Sequence, residues 1–155
     1  MKTKITTYIP PNSDETSEKF INYIMNDGKK STARRIFNDM LKEIEKRGNK
    51  NPKEIFFRAL ENCKPTMEVR PKRIGGAVYQ VPFEVPPKRQ QMLAFRWLIA
   101  GARHRKGMPM YRRLTVELLE ASERTGAAVK KRDDVERMAQ ANRAFAHYAR
   151  FTKKK

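Results

Sequence analysis

The spacing of the apolar residues constrains the fold of this 155-residue chain more than any other feature. Up to residue 63 they recur at steps of three and four, which is the period of an amphipathic helix. Between residues 67 and 85 they alternate with polar residues, which is the period of a strand. The helical period returns after residue 86. The pattern predicts a mostly α-helical protein that one β element interrupts.

Capping residues and glycines divide the helical parts of the sequence into six predicted helices. Asn51-Pro52, for example, is typical of an N-cap followed by a first helical residue. The last predicted helix starts at Asp133-Asp134 and carries Phe145 and Tyr148 on one side. The six helices are expected to begin near residues 14, 31, 52, 87, 109 and 133, and Gly28, Gly48 and Gly126 are expected to end the first, second and fifth.

The β element reads as a hairpin formed by residues 66–86. Gly75-Gly76 lies between the two alternating runs and suits a tight turn. Pro71 and Pro82 cannot donate to a ladder, so they belong on the outer edges of a two-stranded ribbon. We therefore expect one domain over residues 1–155. It would have a six-helix bundle-like body, a protruding two-stranded β-ribbon between helices three and four, a flexible arm (residues 1–13) and a basic tail (residues 150–155).

The basic residues are concentrated in two segments. The chain has 35 lysines and arginines against 17 acidic residues, a net charge of +18. Residues 64–113 contribute +10 of this charge and residues 130–155 contribute +6. So large an excess attracts a polyanion. Nucleic acid is the first candidate for that polyanion, and an anionic membrane surface is the second.

The ribbon is the most informative of the basic segments. Cations lie on the first arm and directly after the second. Gly75-Gly76 would let a phosphate approach the backbone, and Tyr79 and Gln80 could stack on a base and hydrogen-bond to it. The alternative is a solvated hairpin whose cations only prevent edge-to-edge aggregation. The candidate RNA-binding cations here are Arg70, Lys72, Arg73, Lys88 and Arg89.

Two other basic clusters have candidate roles as phosphate sites. Lys130, Lys131 and Arg132 precede the predicted start of helix six, where free N–H groups would favour an anion. Alternatively, the acidic residues that follow are all that the helix requires. Lys29-Lys30 beside Gly28 raises the same question. Further arginines either extend the basic surface or pair with helix acids: Arg96, Arg103, Arg105, Arg112 and Arg113.

Catalysis and metal binding find no support in the sequence. Cys63 lies on the apolar stripe of helix three, so packing is its expected role. The two histidines and one cysteine lack zinc-ligand spacing, and Gly75-Gly76 lacks a phosphate-loop pattern. We expect no enzyme activity, no metal and no cofactor. A DNA-architectural protein with a minor-groove ribbon remains as an alternative. A polybasic membrane-surface protein is the other, but it needs bulky apolar residues exposed beside lysines, whereas the apolar stripes of the predicted helices are typical of a core, so no membrane partner is expected.

Four segments resemble the bacterial small-subunit ribosomal protein seven family. They are MEVRPKRIGGAVYQVPFEV from Met67, FINYIMNDGKKSTARRIF from Phe20, RQQMLAFRWL from Arg89, and GAAVKKRDDVERMAQANRAFAHY from Gly126. The resemblance implies a protein of the cytoplasmic ribosome, with an organelle ribosome left open. It implies primary binding to the 3′ major domain of small-subunit ribosomal RNA, contacts with head and platform proteins, and a position near exit-site tRNA and mRNA.

The resemblance also implies residue roles. Residues expected to face ribosomal RNA are Lys29, Lys30, Arg70, Lys72, Arg73, Gly75, Gly76, Arg89, Lys130, Lys131 and Arg132. Residues expected on the exit-site side are Tyr79, Gln80, Arg143 and Tyr148. The sequence differs from the family in its N-terminal arm, which has only Lys2 and Lys4 before a Pro-Pro-Asn-Ser-Asp-Glu stretch, and in its ending, where Ala149 precedes Arg150-Phe151 and three lysines follow.

Overall fold

A computed structural model describes residues 9–11 and 13–152 of the chain. Most of the predicted N-terminal arm and the last three lysines of the predicted tail lie outside the described residues. The elements are α1 (Glu15–Ile24), α2 (Lys30–Lys46), α3 (Pro52–Cys63), β1 (Met67–Ile74), β2 (Ala77–Glu84), α4 (Pro87–His104), α5 (Met110–Ser122), α6 (Gly126–Ala141) and a 3₁₀ segment (Arg143–Thr152).

This architecture confirms the predicted fold class. Helices dominate the described residues, and β1 and β2 form an antiparallel two-stranded ribbon between α3 and α4. Asp14 caps α1 at its predicted start, accepting a hydrogen bond from the Ser17 backbone N–H at 2.9 Å. No helix in the described part of the chain is both long and apolar enough to cross a membrane.

The core is organised around Phe20, which is fully buried on α1. Its ring lies 5.1 Å from the ring of Phe56, 5.2 Å from that of Phe95 and 6.1 Å from that of Phe37, measured between centroids. These rings come from α3, α4 and α2, so one aromatic cluster joins the first four helices. Helix α5 adds Leu114 and Leu118, which are also fully buried.

The ribbon stands on the helical body by its base and leaves its tip exposed. The register pairs Met67 with Glu84 at the base and Ile74 with Ala77 at the tip. Gly75 (φ 57°) and Gly76 (φ 88°) form the turn, and two successive positive φ angles are what a two-residue type I′ hairpin turn requires. Near the tip Val78 is 64% exposed, whereas Val81, midway along β2, is fully buried.

Helix α6 begins earlier than the sequence predicted. The predicted start at Asp133-Asp134 was wrong, because α6 begins at Gly126. Lys130, Lys131 and Arg132 therefore lie within the helix. The reason is a tertiary contact: the Ala128 backbone N–H, in the first turn, donates to the buried Glu117 carboxylate of α5 at 2.8 Å. A side chain of the protein thus occupies the N-terminus of α6, and Lys130, Lys131 and Arg132 do not flank it.

The end of the chain also differs from the prediction. Helix α6 stops at Ala141, where the Asn142 side-chain amide donates to the Met138 carbonyl at 2.8 Å. Phe145 and Tyr148 lie in the 3₁₀ segment that follows, rather than on α6. A 3₁₀ run of ten residues is unusual. This segment packs along β2 of the ribbon.

Candidate nucleic-acid interface

The cations predicted to face RNA divide into unpaired and paired groups. The unpaired group consists of exposed side chains that make no ion pair or hydrogen bond with other described residues. Such cations are the most available to an external phosphate, because no internal partner must be displaced. They lie on the ribbon tip, on α6, before α2 and at the start of the 3₁₀ segment: Arg73, Lys130, Lys131, Lys29 and Arg143.

Arg70 and Arg89 belong to the paired group, because both bind Glu68 at the base of the ribbon. Glu68 is only 7% exposed. The Nε of Arg89 lies 2.9 Å from each carboxylate oxygen, and the Nε of Arg70 lies 2.6 Å from Oε1. The Arg70 guanidinium also lies over the ring of Phe83, 5.6 Å from its centroid. This cluster joins β1 to the first turn of α4.

An aromatic cluster joins the ribbon to the 3₁₀ segment. The ring of Tyr79 lies 5.3 Å from that of Phe145 and 5.2 Å from that of Tyr148, between centroids. The Lys72 ammonium donates to the Tyr148 carbonyl at 3.0 Å. The structure thus brings together two predicted exit-site residues from distant parts of the chain, and Gln80 beside them is exposed.

Lys30 and Arg132 are also engaged with the protein itself. The Lys30 ammonium lies 3.5 Å from Oε2 of the buried Glu18. The Nε of Arg132 donates to Asp133 at 2.8 Å, and its Nη1 donates to the Asn62 carbonyl of α3. In each of these two clusters, one cation contacts the protein itself and its neighbours are exposed.

Some of the remaining arginines pair with acids, as one alternative predicted, and others lie on the surface, as the second predicted. Arg105 binds Glu117 at 3.0 Å and also contacts Glu120, so it stabilises the junction of α4, α5 and α6. Arg96 and Arg103 instead line an open groove of about 380 Å³ between α1 and α4. Tyr23 and His104 also line this groove, and the sequence did not predict this because only the packing of α1 on α4 brings them together.

The described residues hold no group suited to binding a metal ion, and the one cysteine of the sequence is buried. Cys63 is fully buried, and burial raises the pKa of its thiol to about 12, so the thiolate is not formed near neutral pH. Among the described residues, no group of three or more histidine, cysteine, aspartate or glutamate side chains could hold a metal ion. The exposed cations are suited to binding an extended anion rather than to catalysing a reaction.

Comparison with known proteins decides the family. A sequence model described as ribosomal protein S7p/S5e matches residues 2–143 of the chain. The chain belongs to the ribosomal protein S7p/S5e family. Members of this family are structural ribosomal proteins, so the assignment confirms the resemblance inferred from the sequence and the expectation of a non-enzymatic protein.

Curated S7p/S5e relatives are similar over nearly their whole length. The small ribosomal subunit protein uS7 of Dictyoglomus thermophilum is 50% identical over 143 residues, covering 90% of this chain and 92% of the relative. That of Rhodopirellula baltica is 55% identical over 135 residues, covering 86% of each chain. That of Thermus thermophilus is 55% identical over 129 residues, covering 83% of each chain.

Proposed function

We propose that this protein is a structural constituent of the small ribosomal subunit that binds ribosomal RNA directly and organises the head, the 3′ major domain. One observation carries the proposal: in a chain of the S7p/S5e family, the unpaired cations project from the ribbon tip and from α6. Because they make no ion pair with the described acids, they are available to contact several phosphates of a folded RNA.

The ribbon and the 3₁₀ segment form the proposed exit-site side. Tyr79 and Tyr148 pack against each other there, and Arg143 is exposed at the start of the segment. Aromatic rings beside an unpaired guanidinium can stack on unpaired bases and neutralise their backbone. We therefore propose that this side approaches tRNA and mRNA, whereas the other exposed cations, such as Lys29 and Lys130, face ribosomal RNA. Neighbouring proteins of the head and platform are the proposed protein partners, on the ribosome of the cytoplasm.

Binding to a head-domain fragment of small-subunit RNA tests the proposal. If about six cations contact phosphates, the affinity should fall by about a thousandfold between about 50 mM and about 200 mM salt. An unrelated structured RNA of equal length should bind more weakly at the higher salt. Equal affinity for the two RNAs would contradict the proposal, and preference for bent duplex DNA would favour a DNA-architectural protein instead.

Two pairs of lysine-to-alanine substitutions, one in the proposed site and one outside it, test whether the unpaired cations contact phosphates. Lys130→Ala with Lys131→Ala should reduce the steepness of the salt dependence by about 1.4 to 1.8 in log–log slope, since two phosphate contacts would be lost. Lys46→Ala with Lys50→Ala is the control, because these lysines are exposed near the end of α2, outside the predicted site. An equal change in slope for both pairs would mean that the binding depends only on net charge.

A further inference from the structure

The Glu68 carboxylate is an unusual feature in a surface that is proposed to bind a polyanion. It is 7% exposed, and a buried carboxylate requires partners that offset the loss of its hydration. Its partners, Arg70 and Arg89, are both residues that the family resemblance assigns to RNA contact. An acid that only weakened the cations of an RNA site would oppose the function of that site. The geometry gives it a different role.

The two guanidinium groups are held side by side and keep unused donors. Both donate to the same oxygen of Glu68, Oε1, from β1 and from α4. Arg89 uses only its Nε, so both of its Nη groups are without a partner among the described residues. Arg70 uses Nε and Nη2 and leaves Nη1. Their side chains are 48% and 39% exposed, so these free donors can meet solvent or a ligand.

The charge of this cluster suits a single phosphate group. Two guanidinium groups around one carboxylate leave a net charge of +1, and a phosphodiester carries one negative charge. Guanidinium forks match the geometry of phosphate oxygens, and a fork that is already fixed loses less conformational freedom on binding. The ring of Phe83 below Arg70 restricts that side chain further.

We infer that Glu68 is a positioning residue that holds Arg70 and Arg89 together so that their remaining N–H groups bind one backbone phosphate of RNA at the foot of the ribbon. This inference rests on the proposed function, since the phosphate belongs to the ribosomal RNA. The inference gives a role in RNA binding to an acidic residue that cannot itself attract RNA. It also explains why an acid occupies the centre of a basic surface.

The experiment compares Glu68→Gln with Glu84→Gln in the full chain. Each variant removes one negative charge from the ribbon, but Glu84 is exposed and makes no ion pair with the described residues. Affinities are measured for the head-domain RNA fragment and for polyuridylate of equal length at one salt concentration. Glu84→Gln should raise both affinities by the same factor, because it changes only the long-range attraction.

Glu68→Gln should change the two affinities in opposite directions. Polyuridylate should bind more tightly because two guanidinium groups are released. The head-domain fragment should bind more weakly because the paired donors are no longer fixed, so the ratio of the two affinities should fall by about tenfold. An unchanged ratio would mean that Glu68 is only a counter-charge, and an equal fall in both affinities would mean that it only stabilises the fold. Either result overturns the inference.

A second variant identifies the residue through which Glu68 acts. Arg89→Lys keeps the charge but loses the fork, so it should lower the same ratio. Adding Glu68→Gln to Arg89→Lys should then lower the ratio less than Glu68→Gln does in the wild-type background. Full additivity would overturn the inference. If the wild-type protein itself showed no preference for the head-domain fragment, the proposed function would fail, and that outcome is distinct from all of these.

Discussion

Replacing Tyr79 by alanine should release the 3₁₀ segment from the ribbon while leaving the helical body folded. Tyr79 contributes one ring to two aromatic pairs, with Phe145 at 5.3 Å and with Tyr148 at 5.2 Å. Each pair is worth about 0.5 to 1.5 kcal/mol, so the segment should lose about 1 to 3 kcal/mol of docking free energy. The α1–α4 aromatic core around Phe20 contains no residue of this cluster.

Amide hydrogen exchange measures this effect locally. One backbone amide within the segment, that of Phe145, donates to the Asn142 carbonyl at 2.9 Å and should report its opening. A loss of about 1 to 3 kcal/mol corresponds to exchange about 5 to 150 times faster, when opening and closing are rapid. Amides of α3, such as that of Phe56, should exchange at the wild-type rate because the core is unchanged.

Tyr79→Phe is the matched control for this prediction. It keeps the ring, so the two ring pairs should remain and exchange in the segment should stay close to wild type. Unchanged exchange in Tyr79→Ala would refute the reasoning that the aromatic cluster docks the segment. Equally accelerated exchange at Phe56 would refute it in another way, because Tyr79 would then stabilise the whole fold.

Three further predictions concern buried groups. Gly101→Ala should lower the free energy of unfolding, measured by urea titration, by about 1 to 3 kcal/mol, because a Cβ there would lie 2.6 Å from Oε1 of the buried Glu117. Helix propensity alone predicts a gain in stability, and such a gain would contradict this prediction. Cys63 should react with a thiol reagent at pH 8 only when the protein unfolds, because burial raises its pKa to about 12; rapid reaction of the native protein would show that the site is open. Burial raises the pKa of Glu18, but hydrogen bonds from Arg34 and Ser13 and the nearby cations outweigh it and hold that pKa below its ordinary value of 4.5. The stability from Glu18 should therefore be present above pH 4.5 and be lost as the pH falls through the lowered pKa. In Glu18→Gln the melting temperature should accordingly fall less steeply as the pH is lowered into the acid range. An unchanged dependence on pH would contradict this.

The elements that local sequence determines were predictable from it. The ribbon follows from alternation on either side of Gly75-Gly76, and both glycines have the positive φ that the turn requires. The Asp14 cap of α1 is likewise a contact between residues three apart. Each of these features depends on residues that are neighbours in the chain, so composition and spacing are enough to predict them.

The start of α6 was not predictable because it depends on a distant side chain. Thr125-Gly126 can end one helix or begin the next, and the local sequence fits both. Glu117, nine positions before Gly126, resolves this by accepting the Ala128 N–H in the first turn of α6. Lys130 and Lys131 consequently project from the exposed side of the helix, rather than flanking its N-terminus.

The presence of cations on the ribbon and near α6 was predictable from the sequence, but the pairing of these cations was not. Spacing shows that cations crowd the ribbon and α6, but it cannot show which of them already has a partner. Arg73 and Arg89 look alike in the sequence, whereas in the fold only Arg89 meets a buried acid. That acid, Glu68, is two positions from Arg70 but 21 positions from Arg89, so only the packing of the ribbon on α4 reveals the cluster. An ion pair at such a junction ties the ribbon to the helical body and restricts both guanidinium groups. Arg73 and Arg89 should therefore differ in substitution: the loss of Arg73 should weaken binding alone, whereas the loss of Arg89 should also leave a buried charge with one partner fewer and reduce stability.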